Sequence, residues 1–116
     1  MILAVLDDLM FTSKIKTTAN QLGVAVTFAR SADGALAEMR KSTPSLVILD
    51  LNNGRINPLG IVADMKQDPS LASVRTVGYA SHVQVDVINA ARAAGVDDVM
   101  ARSAFTQNLA AILSNT

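Results

Sequence analysis

The sequence predicts a doubly wound α/β domain with a five-stranded parallel sheet in the order 2-1-3-4-5. Three observations carry that prediction. Short apolar runs alternate strictly with segments of helical period, a (βα)5 rhythm that implies a parallel sheet covered by helices on both faces. The first and third runs are the most continuously apolar, which places them at the centre of the sheet. Carboxylates end those same two runs, where ligands bind in such sheets.

The runs "ILAVL" (Ile2–Leu6), "VAVTF" (Val24–Phe28), "SLVIL" (Ser45–Leu49), "TVGYA" (Thr76–Ala80) and "DDVMA" (Asp97–Ala101) read as strands. After the first, Phe11, Ile15, Ala19 and Leu22 recur on one helix face. The same period links Ala32, Ala35, Leu36 and Met39, then Leu59, Val62 and Met65, then Val87, Ile88, Ala91 and Ala94. A fifth helix carries Phe105, Leu109, Ile112 and Leu113. Gly23 and Gly95 stand where left-handed C-caps are expected, and Ser31 and Ser103 where N-caps are. Pro58 suits a first helical turn, and Pro44 precedes the third strand.

Composition narrows the function. The chain of 116 residues is sized for a single domain, 1–116, able to bury roughly two-thirds of its unfolded surface. With no cysteine there is no disulfide framework and no thiolate chemistry. Ten acidic and ten basic side chains cancel, no basic run occurs and only 3% of residues are aromatic, which argues against direct nucleic-acid binding. No signal peptide and no span of about 20 apolar residues is visible, so a cytoplasmic protein without a membrane segment is expected. The only histidine, His82, has no cysteine or second histidine near it and reads as an exposed loop side chain.

In "SLVILDLNNG" (Ser45–Gly54) four apolar residues run into Asp50. With strands one and three adjacent, Asp7 and Asp8 come close to it at the switch point. Three such carboxylates repel one another unless a cation or protons intervene, and a hard divalent ion, Mg²⁺ above all, is the natural partner. The plainer alternative is that these acids cap strands and helix N-termini. No GxGxxG, GxxxxGK[ST] or HExxH pattern occurs, which leaves dinucleotide, nucleoside triphosphate and zinc-protease readings without support. "LDDLM" lacks the D-x-D of an aspartyl phosphatase, and "DDLMFTSK" opens with acids that would repel a flavin phosphate.

The stretches "LVILDLNNGRINPLGIVADMKQDP", "ARAAGVDDVMARSAF" and "SADGALAEMRKSTPSLVILD" resemble the receiver domains of two-component response regulators, over nearly the whole chain. The resemblance implies the flavodoxin-like receiver fold and a signalling module rather than an enzyme. It implies that Asp50 accepts a phosphoryl group from a sensor histidine kinase or phosphotransfer protein in a phosphorelay. It also implies Mg²⁺ held by Asp7, Asp8 and Asp50 with the backbone carbonyl of Asn52, and output through contact with a downstream protein. The face of the fourth helix, fifth strand and fifth helix is the implied contact surface, with a homodimer through it as a further expectation. If the chain is complete, no segment remains for a DNA-binding or catalytic output domain.

Several positions depart from the family pattern. Alignment puts Leu6 and Asp7 on its two strand-one acids, so Leu6 weakens the implied metal site, and Asp8 substitutes only if the loop shifts by one residue. Ala80 stands in place of the switch Thr or Ser, and the neighbouring Ser81 is one residue off, on the other face of the strand. Arg102 replaces the conserved lysine, keeping the charge on a larger planar fork that could pair with Asp50. Val99 replaces the aromatic switch residue, Ser103 follows Arg102 where proline is usual, and Gly54 stands where a proline follows the acceptor loop. These changes make the chain a divergent receiver. They leave open a phosphorylation-independent pseudo-receiver acting as a protein-interaction module, and a small enzyme or ligand binder on the same scaffold.

Overall fold

Every residue of the first strand, β1 (Ile2–Val5), is buried, as are the first four of β3 (Leu46–Asp50). β4 (Arg75–Ala80) is buried from its second residue onward, whereas β2 (Val26–Ala29) and β5 (Asp98–Ala101) are mostly half-exposed. In the computed structural model, which describes residues 1–81 and 84–115, this gradient belongs to one parallel sheet in the predicted order β2-β1-β3-β4-β5. The expectation for His82 lies outside the described residues.

Alternate strand residues feed two cores, as the period of two requires. Ile2, Ala4, Ile48, Val77 and Tyr79 point to the side covered by α1 (Leu9–Leu22), α5 (Arg102–Gln107) and α6 (Leu109–Ser114). Leu3, Val5, Val47 and Leu49 point to the side of α2 (Ala32–Lys41), α3 (Pro58–Gln67) and α4 (Val85–Ala94). The predicted helix faces supply the matching side chains, including Phe11, Ile15 and Ala19 from α1. Leu22, the last of that stripe, is instead 41% exposed beside the helix end. Among the described residues no helix is long and apolar enough to cross a membrane.

The caps explain where elements begin and stop. Gly23 (φ 69°) and Gly95 (φ 104°) end α1 and α4 in the left-handed region, as expected. The Val24 N–H donates to the Ala19 carbonyl, so Val24 belongs to the cap and β2 starts two residues later than predicted. Ser31 caps α2 by accepting from the Gly34 N–H, and Pro58 opens α3. Ser103 is no cap: α5 already begins at Arg102, with Ala101 before it and no side-chain cap. The predicted fifth helix is two pieces, because Asn108 turns its amide back to the Ala104 carbonyl at 2.8 Å and leaves helical geometry.

Thr76, the one buried polar residue among those described, joins β4 to the segment that enters β5. Its N–H donates to the Asp97 carboxylate at 2.8 Å, and the Asp97 N–H donates back to its hydroxyl at 2.9 Å. Two residues further along β4, Gly78 lies under Leu51, the residue after Asp50. A Cβ there would sit 2.6 Å from a Leu51 methyl carbon, and Leu51 is itself buried. Gly78→Ala is therefore expected to cost about 1–3 kcal/mol through overpacking. Thermal denaturation checks this, and an unchanged midpoint would show that Leu51 moves aside freely.

Candidate functional site

β1 ends at Val5, and Leu6 continues into the core with 1% exposure. The chain then surfaces, so Asp7 and Asp8 lie in the β1–α1 loop, close to the end of β3. Asp8 is the N-cap of α1: its Oδ1 accepts from the N–H groups of Met10 (2.9 Å) and Phe11 (3.1 Å). An aspartate is favoured here because it satisfies amides that the first turn leaves unpaired and meets the positive end of the helix.

Asp50, half-buried at the end of β3, accepts at Oδ1 from the Asn52 N–H (3.1 Å), an aspartate turn that starts the following loop. Asn53 Oδ1 accepts from the Arg55 N–H at 3.0 Å and opens a 3₁₀ turn, Gly54–Ile56. From that turn two groups reach across to Asp7. Asn53 Nδ2 donates to Asp7 Oδ1 at 2.6 Å, and Arg55 Nη2 pairs with Asp7 Oδ2 at 3.0 Å. On the other flank, Asn52 Oδ1 accepts from the Ser81 N–H at 2.6 Å and ties the loop to the end of β4.

Arg102 enters from the start of α5. Its Nη2 donates to Asp8 Oδ2 at 2.9 Å, and its guanidinium carbon lies 4.5 Å from the centre of the Phe11 ring. It is thus ion-paired with Asp8 and not with Asp50, because Phe11 and the α1 N-terminus hold its plane on that side. The Asp8 carboxyl is held below the usual aspartate range, first by the Phe11 N–H and then by Arg102.

Asp7, Asp8, Asp50, Asn52, Asn53, Gly54, Arg55 and Arg102 line one open cleft of about 650 Å³. Two of its three carboxylates have an arginine each. Asp50 has no ion-pair partner among the described residues. Burial pushes its carboxyl up, the Asn52 N–H and the Arg102 charge pull it down, and Asp7 and Asp8 add to the push. A partly desolvated carboxylate without an ion-pair partner, in a cleft that two guanidinium groups also line, suits reaction with an electrophile that bears negative oxygens.

The other positions singled out in the sequence fall around this cleft without lining it. The Ala80 methyl is buried in the core on the α3–α4 side, and Val99 packs against the same core. Ser103 is exposed on α5. Sequence reasoning missed Asn53 and Arg55. Their signal was local: the polar turn "NNGR" follows Asp50 directly, and such a turn folds back over the strand end it leaves. Tyr79 is the register partner of Asp50 on β4. It is core, 1% exposed, with its ring 4.9 Å from Phe11 and 4.8 Å from Phe105.

Fold and cleft together define a doubly wound α/β domain with an acidic site at the switch point between β1 and β3. The model of the response regulator receiver domain matches residues 2–114, and the chain belongs to that family, a family of two-component signalling modules. No curated protein matches it significantly. Among solved structures it is similar to the receiver domain of NtrX from Brucella abortus: 21% identity, 99% of this chain and 96% of that one covered, TM-score 0.83. The phosphorylated cyanobacterial phytochrome response regulator RcpA is 25% identical, with 98% and 88% covered and a TM-score of 0.81. The Mn²⁺-bound form of the response regulator Rcp1 is 19% identical, with 97% and 91% covered and a TM-score of 0.82.

Proposed function

We propose that residues 1–116 form one receiver domain, acting in the cytoplasm, whose Asp50 accepts a phosphoryl group from a phosphohistidine of a sensor kinase or phosphotransfer protein. The observation that carries this reading is the state of Asp50: it is the half-buried carboxylate of the cleft that no arginine neutralises, beside two that are neutralised. An Asp50 oxygen attacks phosphorus as the P–N bond breaks, and the donor imidazole keeps the electron pair. Arg55 and Arg102, both lining the cleft, lie where they can offset charge on the phosphoryl oxygens.

The donor chemistry also fits Mg²⁺. That ion is held by one or two carboxylates with several waters, and Asp7, Asp50 and the Asn52 carbonyl supply hard oxygen atoms beside an open cleft. As the side chains stand, the described residues hold no group of three metal-ligating side chains. Both Asp7 oxygens are engaged by Asn53 and Arg55. Asp8 would have to release Arg102 to join the set. The Arg55 side chain is 82% exposed, so its ion pair is weak and yields readily. When bound, the ion offsets negative charge shared between Asp50 and the entering phosphoryl group. The similarity to a phosphorylated and to a Mn²⁺-bound response regulator supports the same reading.

The face of α4, β5 and α5 passes the signal to a downstream protein or to a second copy of the chain. Intact mass after incubation with a small-molecule phosphodonor and Mg²⁺ tests the acceptor. A gain of one phosphoryl group that disappears without Mg²⁺ is expected. No gain on folded protein would point to a phosphorylation-independent interaction module.

A further inference from the structure

Tyr79 carries a buried hydroxyl with no hydrogen-bond partner among the described residues. A buried hydroxyl left unpaired is costly, and such a group in a native fold calls for an explanation. Its position suggests one. Tyr79 is the register partner of Asp50 on the neighbouring parallel strand, so the two side chains rise from the same face of the sheet. The ring packs against both Phe11 and Phe105 in a three-ring cluster, which holds it and its hydroxyl in place. Burial keeps its proton on, and of the charges around it Asp50 acts on it most strongly. Ala80, the next residue, offers only a methyl group, turned into the opposite core.

We propose that the Tyr79 hydroxyl is a positioning donor for the modified form of Asp50, finding its missing partner in a phosphoryl oxygen there. A phosphoryl group lengthens the Asp50 side chain and adds strong acceptor oxygens. The donor is already oriented and already desolvated, so little further ordering is needed when the acceptor arrives. This role rests on Asp50 being the acceptor.

The chain has one tyrosine and no tryptophan, so its near-ultraviolet emission reports on Tyr79 alone. The test compares wild type with Tyr79→Phe, which keeps the ring and removes only the hydroxyl, using fluoroberyllate with Mg²⁺ as the phosphoryl stand-in. Unmodified Tyr79→Phe is expected to be at least as stable as wild type, because the orphan hydroxyl is gone. Fluoroberyllate is expected to bind the variant roughly tenfold more weakly, the loss of one charge-assisted hydrogen bond. Wild-type Tyr79 emission should change on binding. Equal affinities, or emission that does not respond, would overturn the role of Tyr79 alone. So would a variant less stable than wild type before any addition, since the hydroxyl would then have a partner in the resting state. If wild type neither binds fluoroberyllate nor takes a phosphoryl group by intact mass, the acceptor reading fails and the Tyr79 role fails with it.

Discussion

Asp50→Asn is expected to make the domain more stable while removing the proposed phosphoacceptor. Asparagine keeps the oxygen that receives the Asn52 N–H, which holds the start of the β3–α3 loop. It discards a charge that is partly desolvated, repelled by Asp7 and Asp8, and ion-paired to nothing among the described residues. The gain should be on the order of 1 kcal/mol, the scale on which relief of a strained functional site appears in stability. In a domain of this length that is roughly 4 °C in the thermal midpoint. The sign of the pH dependence follows from the raised carboxyl. Folded Asp50 binds its proton more tightly than unfolded Asp50, so its charge penalises the fold at neutral pH and the penalty fades as pH falls through the folded value. The advantage of the variant should therefore be full at neutral pH and shrink in acid. A variant less stable than wild type at pH 7 would mean that Asp50 is compensated in solution by one of the arginines.

Phe105→Ala is expected to have the largest effect on the fold itself. The ring is fully buried, stacks on Tyr79 at 4.8 Å and lies 5.7 Å from Phe11. Removing it leaves a cavity inside the only three-ring cluster that the structure describes, at a cost of about 3–5 kcal/mol. Set against a total of about 5–15 kcal/mol, that is a large share, and a fall of roughly 10–20 °C in the midpoint is expected. The loss reaches the cleft as well. Phe105 anchors α5 three residues after Arg102, and Phe11 supplies the ring that Arg102 lies over. A loss below about 1 kcal/mol in chemical denaturation would show that the cluster closes over the gap and is not the keystone of this core.

The elements of the fold were legible because periodicity reports burial. Continuous apolarity in Ile2–Leu6 and Ser45–Leu49 distinguished central strands from edge strands, and Gly23, Gly95, Ser31 and Pro58 punctuate as their backbone chemistry requires. The errors fall where a side chain overrides local preference. Asn108 interrupts an otherwise regular apolar stripe by bonding to Ala104, and the Gly23 cap takes Val24 away from the second strand.

The site was legible at the level of which loops converge, since topology alone carries the β1 and β3 ends together. Its pairings were not. Arg102 had two acids within reach, and the choice of Asp8 depends on the Phe11 ring and on the cap geometry of α1, neither of which a linear pattern displays. Arg55 had no sequence partner at all until the 3₁₀ turn brought it to Asp7 across the cleft. The orphan hydroxyl of Tyr79 is visible only once every neighbour is in place.

Chemical trapping of the modified residue shows which carboxylate, if any, takes the phosphoryl group. Wild-type protein is treated with a phosphodonor and Mg²⁺, reduced with borohydride and mapped by peptide mass spectrometry. An acyl phosphate on Asp50 is reduced to homoserine, and homoserine is expected at position 50 and at no other aspartate. Homoserine at position 7 or 8, or unreduced aspartate throughout in a protein that remains folded, would contradict Asp50 as the acceptor.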